Sequence, residues 1–237
     1  MARPRAPRVV GRILKTIAAA VIVTVCVLVG WRMCTSGDPK QVKVVAANET
    51  LAEAYRNAGG DLTAYRQEQA SITRAPDSYG YFSVTRCVFF PEAGQVQLVL
   101  RYNKSTLRHL AEDKGLDAVP PKDGTHFDVT LVRTTDRTPD NSADNLDPNA
   151  LDQTRFHATG DPVRVETSLY TYLRYTFDGV DVLPDTVGVF VDVYWLGDLD
   201  YTARPYGTLC LWDNASENIP YRLTRADREA LEAFGKP

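Results

Sequence analysis

Two stretches decide the fold class of this chain: LYTYLRYTF at residues 169–177 and VGVFVDVYW at residues 187–195. In the stretch 169–177, the odd positions carry apolar residues and one threonine, and the even positions carry tyrosine, arginine and threonine. In the stretch 187–195, the odd positions form an unbroken apolar face. Side chains of a strand point alternately to its two faces, so a period of two predicts two strands. The turn residues Asp178-Gly179 and Leu183-Pro184-Asp185 lie between them.

Similar patterns continue outward from these two strands. Further strands are predicted where side chains alternate or where β-branched and aromatic residues are frequent, at 81–90, 95–102, 127–131 and 206–212. Residues 163–166 either begin the strand at 169 or form a strand of their own. Short helices are predicted at 51–58, capped by Asn48 or Thr50, at 106–113, and from Thr224 to Phe234 with Asp227 in the capping-box position. We therefore expect a mainly β fold, an antiparallel β-sandwich, immunoglobulin-like in one version, with short flanking helices and one preceding transmembrane helix.

The transmembrane prediction rests on an apolar run from Ile13 to Trp31. Its length is close to the roughly 20 residues that a helix needs to cross a bilayer. A cleavable signal peptide is the alternative, but the run ends Gly30-Trp31-Arg32-Met33-Cys34 and lacks a small-residue cleavage site. We therefore expect an uncleaved signal anchor, with Ile13 and Trp31 at its two ends.

Charge sets the expected orientation of this anchor. Five basic residues lie before Thr16, where the uninterrupted apolar sequence begins, and no acidic residue occurs before Asp38. The positive-inside rule therefore predicts a cytoplasmic N-terminus and an extracytoplasmic C-terminal domain at the cell membrane. The predicted division is a cytoplasmic tail at 1–12, the anchor at 13–33, a juxtamembrane stalk at 34–47, and an extracytoplasmic β-rich domain at 48–237.

The charge of the residues after the anchor limits the classes of partner that we expect. Six of the 27 basic residues and none of the 30 acidic residues lie in positions 1–32, which leaves 21 basic against 30 acidic residues and a formal charge of −9 outside. Nucleic acid requires clustered Lys or Arg, so it is not an expected partner. The expected partners are the lipid bilayer, through the N-terminal helix, and a cell-surface protein or glycan.

Two cysteines fall in predicted strands of the outer domain. An oxidising compartment would permit a disulfide between Cys87 and Cys210, and two buried thiols behaving as small apolar groups are an equal alternative. The sequence alone leaves both open, because separation along the chain gives no Cβ geometry.

Three residues carry a resemblance to an enzyme family. An N-anchored outer β-domain with His126, Cys210 in Thr208-Leu209-Cys210 and Arg222 in Tyr221-Arg222-Leu223 resembles the sortase transpeptidases. It departs from their T-L-x-T-C pattern, because Cys210 directly follows Thr208-Leu209. The resemblance implies a thiolate nucleophile promoted by the imidazole, with the oxyanion held by the guanidinium.

An acidic stretch at 136–152 offers oxygen ligands for a metal ion, with Asp140, Asp144 and Asp147 as candidates. The spacing lacks the order of an EF-hand, and Pro139 and Pro148 favour a solvated insertion between strands. No cofactor motif occurs, so no cofactor is expected.

The later strands are rich in aromatic residues that could form a binding platform or belong to the core: Tyr170, Tyr172, Tyr194, Tyr201, Tyr206 and Trp212. No HExxH, P-loop, GxSxG or paired CxxC motif occurs. We expect a non-enzymatic, membrane-anchored binding or accessory module. The alternatives are a sortase-like cysteine transpeptidase or hydrolase using Cys210, His126 and Arg222, and a structural subunit of a membrane complex.

Overall fold

The structure is a computed structural model that describes residues 6–36, 38–66, 82–134, 153–181, 188–198, 205–213 and 219–235. The chain divides into two units, Met1–Asp38 and Pro39–Pro237.

The first unit contains the helix α1 (Ala6–Ser36). Its segment Leu14–Trp31 is long and apolar enough to cross a membrane, and none of that segment is buried. A cleavable signal sequence would have the same length and composition. The first unit thus contains an N-terminal apolar helix with the length and composition of a membrane anchor or a signal sequence.

The described part of the second unit is mostly β-structure. Its strands are β1 (Tyr65–Arg66), β2 (Ser83–Phe90), β3 (Gln95–Asn103), β4 (Phe127–Thr134), β5 (Gln153–His157), β6 (Val163–Glu166), β7 (Tyr170–Asp178), β8 (Gly188–Trp195), β9 (Gly207–Asp213) and β10 (Ile219–Pro220). Its helices are α2 (Lys40–Lys43), α3 (Glu49–Asn57), α4 (Lys104–Asp113) and α5 (Arg225–Ala233), with a short 3₁₀ turn at Pro91–Ala93.

The strands form two sheets in which every described pairing is antiparallel. The first sheet has the order β10-β1-β2-β3-β7-β6, and the second has the order β5-β4-β8-β9. The prediction of a mainly β fold with antiparallel sheets and few helices is confirmed.

A shared hydrophobic core joins the two sheets. Leu98, Leu100 and Leu173 of the first sheet belong to the same buried cluster as Leu131 and Val191 of the second. The alternation in the sequence explains this arrangement, because residues at every second position of each strand face the cluster.

The opposite face of the first sheet carries a second core. There Val88 and Phe90 of β2 pack with Leu51 of α3 and Leu231 of α5. Both helices begin as the sequence predicts, since Asn48 caps α3 and Thr224 forms a capping box with Asp227 at the start of α5.

Part of the segment that we expected to be a stalk packs on the first sheet. The second unit begins at Pro39, and Val42 and Val45 are buried, with 1% and 4% of their surfaces exposed. Val42 packs on Val99 and Tyr172, and Val45 packs in the core beneath α3 and α5. We call residues 40–46 the strap. They pack as part of the β-domain, because two of their apolar side chains, Val42 and Val45, are removed from water there.

Candidate functional site

Cys210 and His126 do not come together in the structure. Cys210 of β9 is paired with Phe190 of β8, whereas the carbonyl of His126 accepts a hydrogen bond from the N–H of Leu196, just beyond the other end of β8. Phe190 and Leu196 are about 20 Å apart along the chain at the rise of a β-strand. A thiol and an imidazole at this separation cannot share a proton, so the sortase-like dyad is not assembled.

Arg222, the third residue of that resemblance, lies elsewhere. It follows β10 at the edge of the first sheet, and it is exposed. His126 instead uses its ring Nε2, which lies 2.5 Å from the carbonyl oxygen of Pro121. This contact ties the histidine to the loop that precedes β4.

Cys87 and Cys210 are buried in two different apolar clusters. Cys87 faces the shared core, whereas Cys210 packs with Val132 and Phe190 on the opposite face of the second sheet. Burial raises the pKa of the Cys87 thiol to about 12, so the reactive thiolate is scarce at neutral pH.

The candidate metal ligands Asp140, Asp144 and Asp147 lie outside the described residues. Among the residues that the structure does describe, no group of three or more His, Cys, Asp or Glu side chains is placed to hold a metal ion.

Among the described residues, the aromatic side chains of this set are divided between the interior and the surface. Tyr172 and Tyr194 are buried, and Tyr170 and Tyr206 are half-buried. Tyr201 lies outside the described residues, and for Trp212 the structure describes the backbone in β9 but not the side chain.

A charged side chain covers two of the half-buried rings near the end of β8. The Lys114 Nζ lies 5.4 Å from the ring centre of Trp195 and 6.0 Å from that of Tyr206. It also forms an ion pair of 2.6 Å with Asp198, and the Tyr206 hydroxyl donates to Asp113. These contacts join the end of α4 to the turn after β8 and to the start of β9, which is a structural role.

Side chains beneath and beside the strap bind its backbone. The Arg174 Nη1 donates to the carbonyl oxygens of Gln41 and Val44, both at 2.8 Å. The Gln97 amide accepts from the N–H of Ala46 at 2.7 Å and donates to its carbonyl at 2.8 Å.

The third member of this group approaches from α5. The Asp227 Oδ1 accepts from the N–H of Val45 at 2.8 Å. We call these three residues the backbone clamp: Arg174, Gln97 and Asp227. They hydrogen-bond to carbonyl and amide groups of the strap from two strands and one helix.

Asp227 is a fully buried carboxylate. Burial alone would raise its pKa, but hydrogen bonds from the Tyr221 hydroxyl, from Val45 and from Thr224 favour the charged form, and the net pKa is lowered. Arg86 adds a positive charge 4.0 Å from the Asp227 Oδ1. The same surroundings raise the pKa of Tyr221 to about 12, first through burial and then through its hydrogen bond to Asp227.

Sequence reasoning identified Asp227 as a helix cap and did not identify the clamp. The sequence contains one signal for it: Arg174 and Gln97 are polar residues at positions that the alternation places opposite the core face of central strands. A buried polar side chain needs a hydrogen-bonding partner, so such positions point to a segment that covers them.

No family model, no curated protein and no solved structure matches this chain.

Proposed function

We propose that the protein is a membrane-anchored extracytoplasmic binding or accessory module, with its N-terminus in the cytoplasm and its β-domain outside the cell membrane. The observation that carries the proposal is the exposure of every residue from Leu14 to Trp31 in a helical segment with a mean hydropathy of 2.2. A helix of this kind is favourable when lipid surrounds it. The five basic residues before Thr16 support the orientation.

We further infer that the two sheets form an immunoglobulin-like β-sandwich. In support, β2-β3-β7-β6 and β5-β4-β8-β9 follow the strand order A-B-E-D and C′-C-F-G of such domains, with β1 and β10 added at one edge. The resemblance is one of strand order only, because neither β3 nor β8 carries the cysteine typical of antibody domains. A shared fold does not by itself imply a shared function.

The choice of a binding role over catalysis rests on the separation of Cys210 from His126. Nothing in the described residues supplies a base next to Cys87, whose thiol is buried in the shared core. The proposed partner is a cell-surface protein or glycan.

The anchor is tested with the full-length chain carrying a C-terminal tag in a bacterial expression host. We expect the tagged protein to stay in the membrane fraction after alkaline carbonate extraction, with an intact N-terminus by mass spectrometry and a tag that protease reaches in spheroplasts. A soluble product that begins after residue 30 would show a cleaved signal and overturn the anchor. A control in which Val21 and Val25 are both replaced by Arg should lose membrane retention.

A further inference from the structure

The strap contacts the first sheet in a way that does not depend on most of its side chains. Its described polar contacts to the rest of the domain use backbone atoms of Gln41, Val44, Val45 and Ala46. Of its side chains, Val42 and Val45 are buried, and those of Lys40, Gln41 and Lys43 are exposed. The strap begins with the helical turn α2 (Lys40–Lys43) and is extended from Val44. Hydrogen bonds to the main chain together with apolar anchor side chains are how proteins bind peptide segments.

The strap also matches the spacing of the sheet beneath it. Residues on one face of a sheet recur every two positions, and so do the residues of an extended chain. Val44 has extended backbone angles and is held by Arg174, Ala46 is held by Gln97, and the Asn48 side chain accepts from Gln95. Arg174 is paired with Val99, which lies two residues beyond Gln97 on β3. The segment from Val44 to Asn48, which is the end of the strap and the two residues after it, therefore follows β3 with the same two-residue spacing.

We propose that the outer face of the first sheet, over Val99, Gln97 and Arg174 and up to Asp227, is a binding site for a peptide segment, and that the strap is its resident ligand in cis. The ligand class is a peptide that forms one helical turn, as Lys40–Lys43 does, and then continues extended, with apolar side chains three positions apart across that junction, as in Val42 and Val45. Its residues corresponding to Val45 and Ala46 must keep their N–H groups, which excludes proline there. This assignment rests on the binding role proposed above and locates it on the sheet.

Displacement of the strap opens the site to a peptide in trans. While the strap occupies the site, only a small fraction of the molecules can bind a second peptide. The apparent affinity for that peptide equals the affinity of the open site multiplied by this fraction. Weakening the strap without changing the clamp should therefore increase binding in trans. Val42 is the residue to change, because it anchors the strap and is not part of the clamp.

The test uses the full chain in detergent micelles and a fluorescent peptide with the sequence of residues 39–48. We expect the peptide to bind the Val42→Asp variant at least about tenfold more tightly than the wild type by fluorescence polarisation. A peptide carrying Val45→Pro should not bind. The double variant Val42→Asp/Arg174→Met should lose the binding as well, because two hydrogen bonds to the peptide carbonyls are removed.

Hydrogen exchange provides a readout that needs no substitution. In the wild type we expect the amides of Val45 and Ala46 to exchange by local opening, faster than the amides of β3 beneath them. The proposal would be overturned if the amides of the strap and those of β3 exchanged only through global unfolding. Equal binding of the native and Val45→Pro peptides would overturn it as well. Membrane retention is measured separately, so failure of the peptide site leaves the anchor proposal distinguishable.

Discussion

At the scale of single residues, Asp227 shows how hydrogen bonds keep a charge inside the domain. Its two oxygens accept from Val45, Tyr221 and Thr224, and these donors outweigh the effect of burial on its pKa. A carboxylate removed from water needs this number of donors to remain charged. The residue therefore links the strap, the segment before α5 and α5 itself.

Replacing Asp227 by Asn should destabilise the domain by about 2 kcal/mol at neutral pH, because the amide NH₂ faces donors where the carboxylate had an acceptor. Equilibrium urea unfolding at pH 7 measures this. The control is Glu229→Gln, which changes an exposed carboxylate on the same helix and should have a much smaller effect. Equal effects of the two substitutions would contradict the role of Asp227.

The lowered pKa of Asp227 also predicts the direction of a pH effect. Its folded pKa lies below the ordinary value of 3.8, so its contribution to stability is complete above that value and is lost as pH falls through the folded pKa. The stability difference between wild type and Asp227→Asn should therefore shrink between pH 5 and pH 2. A difference that stays constant over this range would contradict the assignment.

Cys87 and Cys210 predict a specific labelling pattern. In a background with Cys26→Ser and Cys34→Ser, iodoacetamide should label neither thiol quickly in the native protein at pH 8, because both are buried and the pKa of Cys87 is about 12. Both should be labelled in guanidinium chloride without a reductant, as mass spectrometry can show. Labelling that requires prior reduction would indicate a disulfide instead.

At the scale of elements, the sequence predicted those strands and helix starts that depend on neighbouring residues along the chain. The alternation at 169–177 corresponds to β7, and the caps at Asn48 and Thr224 begin helices where expected. The strap could not be predicted in this way, since the partners of its backbone lie 51 to 182 residues away along the chain. The distance between Cys210 and His126 likewise depends on the register of β8 with its two neighbours, which no residue pattern specifies.

The start of α4 provides a test of local capping. The helix begins at Lys104, two residues before the predicted start, because the Asn103 side chain accepts from the N–H groups of Ser105 and Thr106. Asn103→Ala should lower stability by about 1 kcal/mol in thermal or urea unfolding, whereas Asn103→Asp should retain most of it. An alanine variant as stable as the aspartate variant would show that the cap contributes little.

At the scale of the whole molecule, the position of Pro39 as the first residue of the β-domain has consequences for folding. Val42 and Val45 occupy two different apolar clusters on the outer face of the first sheet, and the clamp residues lose their partners when the strap is absent. Burial of each valine contributes about 1.5 kcal/mol or more, and a buried carboxylate without its donor adds a further penalty. The strap is thus expected to be a substantial part of the stability of the domain.

A chain that begins at Pro39 should therefore unfold in urea at the same midpoint as the full-length protein in detergent, because residues 1–38 form a separate unit. A chain that begins at Asn48, which keeps the cap of α3, should lose about 4 kcal/mol or fail to fold, because two buried valines and one charged hydrogen bond are lost. Adding the peptide of residues 39–48 should raise its midpoint in proportion to peptide concentration, since a ligand that binds only the folded state stabilises it. An unchanged midpoint for the shorter chain would mean that the strap is a passive linker, and the stalk predicted from the sequence would then extend to residue 47.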